Sequence, residues 1–336
     1  MPAAAGGKPF SLRIAFSLPI SYDSDSMEAA AMYYFISNPT SRSASAMKLD
    51  SMIEQIFRRE GAGFRHFETT HAGHACDLAR EISENDPHAV IIPIGGDGSI
   101  HEVLNGLTHL DTVTLGLIPS GSGNDFARGM GIPTQPEKAI SAILHPGRII
   151  RMDVGRVKSG QSFRRFAVSS GIGFDAAVCH KALSSVTKDL LNRFGLGQLT
   201  YSAIAAEQIA FYRPCTLKVR VDGGQPFTCR KVHFAAVMNQ KFEGGGCMMT
   251  PDARPEDGLL DVLIVGGMPR IELIAALPLA RGGLHTWIPG LKFIRCRSVD
   301  FLAEKPCPIH LDGESGGIKR LFSVGLEPEK LAVIVS

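Results

Sequence analysis

AVIIPIGGDGSIHEVLNG, residues 89–106, runs from an apolar strand through a glycine-rich turn into a helix. Val90, Ile91, Ile92 and Ile94 supply the strand, and Ile100, Val103, Leu104 and Leu107 recur at helical spacing. Gly95, Gly96 and Gly98 let backbone approach a ligand closely, and the free amides of a helix start favour anions. Asp97 would repel a bare anion, so the turn reads as a site for a polyphosphate accompanied by a divalent cation, Mg²⁺. The simpler alternative is a tight turn in which Asp97 or Ser99 caps the helix.

A second stretch repeats this grammar. In LGLIPSGSGNDFARGMGI, residues 115–132, a strand at 115–118 enters a Ser/Gly loop and a short helical run at 124–129. Two such loops after successive strands of a parallel sheet lie side by side at the strands' carboxyl ends, where ligands bind. Upstream, strands at 33–37 and 64–68 alternate with helices, the first lined by Ala46, Leu49, Ile53, Ile56 and Phe57 and the second near 73–84. This is βαβ patterning and predicts a Rossmann-like nucleotide-binding α/β domain. After a helix at about 137–144 come β-rich runs at 151–157, 163–169, 217–221, 232–238, 259–265, 292–302 and 331–335. Helical patterns near 198–211 and 270–284 interrupt them, so the pattern alone predicts a mixed, mostly β second domain.

At 336 residues the chain exceeds one ordinary core, which favours two domains. Lys and Arg number 35 against 33 Asp and Glu, a net charge of +2 that gives no electrostatic reason to expect nucleic-acid binding. The stretch 148–165 holds five arginines and one lysine against one aspartate; it reads as a solvated hairpin, with weak attraction to anionic headgroups as the sharper alternative. The seven cysteines form no CxxC pair, which indicates neither a disulfide framework nor a thiolate zinc site and fits a reducing cytoplasm. His71 and His74 stand three apart but lack a third ligand nearby, and read as part of a surface helix. No apolar stretch approaches the roughly 20 residues of a membrane span, so membrane contact would be peripheral and transient. Residues 1–31 read as a disordered extension or a start-codon artefact.

Taken together, Asn38–Pro39, GGDGS at 95–99, PSGSGNDFARGMGIP at 119–133, GIGFDA at 171–176, GGG at 244–246, PEDGLLDV at 255–262 and LDGE at 311–314 resemble the diacylglycerol kinase catalytic family of lipid kinases. The resemblance runs from about residue 32 onward. It implies an α/β plus β fold: a Rossmann-like domain of the NAD kinase/diacylglycerol kinase type over 32–147, a β-sandwich lipid-substrate domain over 148–325, and a terminal segment, 326–336, returning to the first domain. It implies an ATP- and Mg²⁺-dependent phosphoryl transfer to a lipid hydroxyl, most simply of diacylglycerol or a related glycerolipid, and is compatible with a homodimer. Glu314 is then the proton acceptor with Asp97 as its partner across the cleft. ATP contacts carry over to Thr69, Gly96, Asp97, Gly98, Ser99, Ile100, His101, Glu102 and Ser122. A structural Mg²⁺ carries over to the Asp257 side chain and the backbone oxygens of Arg254 and Leu259; the alternative is a simple turn before a strand.

Ser99 and Ser122 stand where threonine is usual, and Arg42 stands where glycine often follows the first turn. Met248, Met249, Leu284, Trp287 and Ile288 are candidates for acyl contact or for the second core. NAD kinases and 6-phosphofructokinases share a GGDG loop, but their acceptor signatures are missing. GGDGS lacks the acidic-aromatic pair of diguanylate cyclases, and there is no GxxxxGK[ST] of a P-loop enzyme. A small-molecule kinase of the NAD kinase type and a catalytically silent nucleotide- or lipid-binding protein remain the alternatives.

Overall fold

Strand β1 (Tyr33–Ser37) points alternate side chains to opposite faces, Phe35 into one apolar cluster and Ile36 into another, so helices must cover both sides. The computed structural model describes residues 32–38, 44–159, 162–184 and 212–336; the extension 1–31, Arg42 and the helical pattern near 198–211 lie outside them. After β1 follow α1 (Ala44–Arg59), β2 (Phe64–Glu68), α2 (His74–Asn85), β3 (Val90–Gly95) and α3 (Asp97–Gly106). Then come β4 (Thr114–Leu115), β5 (Ile118–Pro119), α4 (Asp125–Met130), α5 (Pro136–Leu144) and β6 (Ile149–Met152). Ile53 and Phe57 of α1 and Ile140 and Ile143 of α5 pack with Phe35, Val90 and Ile92, while Leu78, Ile82, Val103 and Leu104 of α2 and α3 pack with Ile36 and Ile91. Phe57 meets Tyr33, Phe35 and Phe64 edge-on, a geometry aromatic rings favour.

The sheet order is β2-β1-β3-β4-β18-β6, with β5 also beside β3, where β18 is Leu331–Ile334. All these pairings are parallel except β18 with β6. Because the chain steps one way from β1 to β2 and the other way to β3 and β4, the loops leaving β1 and β3 diverge and open a crevice at their carboxyl ends.

Two readings need correction here. The strand expected at 115–118 is two short strands, and residues 151–157 divide between two sheets. Residues 149–152 pair with β18 in the first sheet, so the first domain extends past residue 147 and the chain crosses over at Asp153–Val154. Alternating apolar residues identify a strand without specifying its sheet.

The second sheet has nine strands, among them β7 (Gly155–Ser159), β8 (Ser162–Phe166), β9 (Ser169–Gly173) and, after α6 (Phe174–Ser184), β10 (Cys215–Val221) and β11 (Phe227–Met238). A small hairpin, β12 (Phe242–Glu243) with β13 (Cys247–Met248), precedes β14 (Leu260–Gly266) and α7 (Arg270–Arg281). The strands β15 (Leu291–Cys296), β16 (Ser298–Leu311) and β17 (Glu314–Leu326) complete it. β11 pairs with β10 along its first half and with β9 and β14 along its second; β16 likewise joins β10 and then β9. The long strands thereby turn the sheet over onto itself as a β-sandwich around Phe166, Leu217, Val237, Val262, Phe301 and Phe322.

Leu331 and Val333 are fully buried in the first sheet. Val333→Asp places an unpaired charge there and is expected to lower the thermal unfolding midpoint by more than 10 °C or prevent folding, whereas Val333→Ile, similar in volume, keeps the midpoint within a few degrees, as read by circular dichroism.

Candidate active site

The glycine loops pack backbone against backbone. A Cβ on Gly121 would lie 2.6 Å from the Gly96 Cα, and one on Gly96 would lie 3.1 Å from the Gly121 Cα. Asn124, at φ 51°, fastens the second loop to itself, accepting from the Gly121 amide at 3.1 Å and donating to its carbonyl at 2.7 Å. Asp97 then ties the loops together: its oxygens accept the amides of Asp125 at 3.1 Å and Phe126 at 2.9 Å. It therefore serves the first turn of α4 and does not cap its own helix.

The LDGE segment is the tip of the β16–β17 hairpin. Asp312 and Gly313, with φ of 50° and 84°, form the two-residue turn, and Leu311 pairs with Glu314. The Asp312 carboxylate, 1% exposed, accepts the amides of Ala167, Val168 and Ser169 and the Nδ1–H of His101 at 3.0 Å. Held this way, the turn brings Glu314 over the first turn of α3: its Oε1 is 3.5 Å from where a Cβ on Gly98 would be. Arg164 and Arg165 of β8 reinforce the join. Arg164 donates to the Ser315 carbonyl at 2.8 Å and lies 3.1 Å from His101 Nε2. Arg165 reaches the Leu104 and Leu107 carbonyls and Glu327, and its backbone exchanges hydrogen bonds with the Asn105 amide group. Arg164 and Arg165 are struts between the domains, whereas β7 and β8 do form the expected hairpin and Arg148, Arg151 and Lys158 are exposed as the solvated reading of 148–165 has them.

A second polar cluster lies beside the LDGE turn. His310, fully buried, has Nε2 at 3.2 Å from Asp175 and 3.1 Å from Glu243. The Gly313 amide lies 3.4 Å from its Nδ1, a long contact that full protonation of the ring would give up. Burial works against a charged His310, but the carboxylates of Glu243 and Asp175 outweigh it and hold its pKa well above 6.5. Glu243 belongs to the β12–β13 hairpin, which docks on α4 where the Gly245 amide donates to Asp125 at 2.7 Å and Arg128 stacks over Phe242. Burial, opposed by that amide, pushes Asp125 up to about 6. Burial likewise raises Asp97, against the pull of its two amide bonds, and Asp175.

Residues 32–157 match the model of the diacylglycerol kinase catalytic domain, and residues 168–335 match that of the YegS C-terminal NAD kinase beta sandwich-like domain. The chain belongs to the diacylglycerol kinase family of lipid kinases. It is 30% identical over 311 residues to the proposed lipid kinase YtlR of Bacillus subtilis (strain 168), covering 90% of this chain and 98% of that one. It is 32% identical over 296 residues to a diacylglycerol kinase of the same organism, covering 87% and 91%. The fold is similar to a crystal structure of a proposed diacylglycerol kinase from Bacillus anthracis str. Sterne, with TM-score 0.74 at 20% identity over 94% of this chain and 99% of that one.

Within this lipid-kinase fold the site residues carried over from the sequence divide. Gly96, Asp97, Gly98 and Ser99 form the first loop and helix turn, Ser122 is exposed on the second loop, and Thr69 follows β2 with its amide on the Ser37 carbonyl. Three expected ATP contacts are otherwise occupied. Ile100 is core, His101 is buried against Asp312, and Glu102 accepts the Gly73 amide at the start of α2. The Asp97 carboxylate accepts the α4 amides, and Glu314 lies over Gly98, the next residue of the same turn.

At the expected structural Mg²⁺ site the Asp257 carboxylate already has partners within the protein. Asp257 accepts the Leu259 amide and is ion-paired with Arg295, and Arg254 lines a cavity of about 150 Å³ at the carboxyl end of α4. A protein cation holds the carboxylate that the metal would need. His74 accepts the Thr70 amide and stacks on His71, a local helix start. Asp175, Glu243 and His310 had no assigned role in the sequence reading, although each sits within or beside a quoted motif.

Two outcomes are expected. Gly121→Ala drives a methyl into the Gly96 backbone and should abolish nucleotide binding in a calorimetric titration, with Ser122→Ala as a mild control. Asp97, Asp125, Asp175 and His310 all bind protons more tightly in the folded state, so their contribution is present at low pH and lost as pH rises through the raised values. The unfolding midpoint should therefore be higher near pH 5.5 than near pH 8, about 6 being the upper end of the loss for Asp125 and His310 carrying the loss above 6.5, and His310→Gln should flatten that upper part.

Proposed function

We propose that the protein transfers the γ-phosphate of ATP to a hydroxyl of a membrane lipid, diacylglycerol or a related glycerolipid. The observation that carries this reading is the placement of Glu314 over Gly98: the hairpin of one domain delivers a carboxylate to the phosphate-type loop of the other. Phosphoryl transfer requires a positioned polyphosphate and a group to take the proton of the attacking alcohol. In this reading the α3 amides at Asp97 and Gly98, Ser99 and the exposed Ser122 receive the phosphates, Thr69 borders the nucleotide, and Glu314 accepts the proton. ATP enters with Mg²⁺, which neutralises charge on the phosphates. Asp97 keeps the two loops in register for this.

The relatives named diacylglycerol kinase support a glycerolipid acceptor. Among the described residues no helix is long and apolar enough to cross a membrane, which suits an enzyme that works from the cytoplasm and visits the bilayer surface transiently, as a monomer or homodimer.

The test is transfer from radiolabelled ATP to mixed micelles containing diacylglycerol, phosphatidylglycerol, sphingosine or ceramide, with NAD and fructose 6-phosphate alongside. Label should enter a glycerolipid only when Mg²⁺ is present, and Glu314→Ala should lower kcat by at least about 100-fold with a small change in the KM for ATP. Label in NAD or the sugar phosphate, or unimpaired transfer by Glu314→Ala, would overturn the proposal.

A further inference from the structure

Helix α7 is apolar on both sides. Leu273, Ala276 and Ala280 face inward, Leu273 packing with Met268 and Phe234 on the outer side of the sandwich. Its outer stripe should then be polar, as on an ordinary surface helix. Instead Ile271, Ile274 and Leu277, spaced one turn apart, are 71%, 45% and 40% exposed. The turn that follows adds Leu284 and Trp287 at 61% and 74%. Five large apolar side chains are thus presented to solvent within one segment, far more than scattered surface hydrophobes explain.

Two further observations identify the occupant. Over α7 and the turn after it, residues 270–290, the exposed charges are Arg270 and Arg281 against Glu272 alone, so the apolar stripe carries a cation at each end of the helix. A two-fold contact between copies of this chain would set these like charges against each other, whereas an anionic lipid surface complements them. The patch is also continuous with the active site. A Cβ on Gly283 would lie 2.8 Å from the Met248 sulfur, and His285 bonds the Met249 carbonyl at 3.1 Å, which anchors the segment to the β12–β13 hairpin. That hairpin carries Glu243 to His310 and Gly245 to Asp125.

We propose that α7 and the turn after it seat the protein on an anionic bilayer, with Ile271, Ile274, Leu277, Leu284 and Trp287 entering the headgroup–acyl boundary and Arg270 and Arg281 facing lipid phosphates. Apolar stripe, basic flanks and an interfacial tryptophan are what such a helix requires. The inference rests on the lipid-kinase reading and names the face that the enzyme turns toward its substrate.

Trp287 is the chain's one tryptophan, so emission of the full-length protein reports directly on the patch. Vesicles of phosphatidylcholine with phosphatidylglycerol should shift the emission to the blue, brominated acyl chains should quench it, and high salt or pure phosphatidylcholine should reverse most of the shift. The triple variant Ile271→Ser/Ile274→Ser/Leu277→Ser should bind these vesicles at least about 10-fold more weakly while phosphorylating monomeric dihexanoylglycerol at the unmodified rate. Arg270→Gln, a milder surface change at the start of α7, should weaken binding at low salt and not at high salt.

Emission unmoved by anionic vesicles, or a triple variant that binds them normally, would overturn the docking surface. So would a blue shift without vesicles that grows with protein concentration, which would assign the face to a second copy. Vesicle-dependent emission with no phosphate transfer to any lipid would leave the surface supported and overturn the kinase reading instead.

Discussion

A single buried carboxylate, that of Asp312, sets the relation between the two domains at the cleft. Three consecutive residues, Ala167, Val168 and Ser169, turn their amides onto it from the start of β9, and His101 reaches it from α3. Hydrogen bonds to an ionised group contribute roughly 1.5–3 kcal/mol each, and a buried charge deprived of them is strongly destabilising. The turn after Leu311 therefore has few other positions available to it. Because Glu314 follows two residues later, its place above the glycine loop is inherited from Asp312.

The nucleotide side is constrained by the same kind of interaction. Asp97 accepts amides from α4, Asp125 of α4 accepts an amide from the GGG hairpin, and Glu243 of that hairpin meets His310 two residues before Asp312. Acids and amides thus link both glycine loops and both domains in a chain that returns to its starting point. Such preorganisation matters in phosphoryl transfer, where positioning and charge placement supply most of the catalysis.

The β3–α3 unit and the α/β class were legible in residues 89–106 because strand period, glycines and helix period occur in one uninterrupted stretch. What was hidden lies between residues far apart in the chain. Asp97 finds its amides 28 and 29 positions on, and no local pattern distinguishes that role from capping its own helix. Asp175, Glu243 and His310 meet from three segments with no shared spacing. Arg164 and Arg165 were read as part of a solvated hairpin because composition does not reveal that they end on carbonyls and Glu327. Residues 149–152 have the alternation of any strand, and only their partner, β18, assigns them to the first sheet.

That partner has a consequence for the order in which the molecule can assemble. β18 lies between β4 and β6, so the nucleotide-binding sheet has a gap until residues 331–334 arrive. During synthesis the amino-terminal domain emerges first yet cannot finish folding. Its β4 edge and the apolar residues that Leu331 and Val333 later cover wait until the whole sandwich has been translated. An incomplete chain released by the ribosome would carry an open strand edge, a template for aggregation and a ready signal for quality-control proteases.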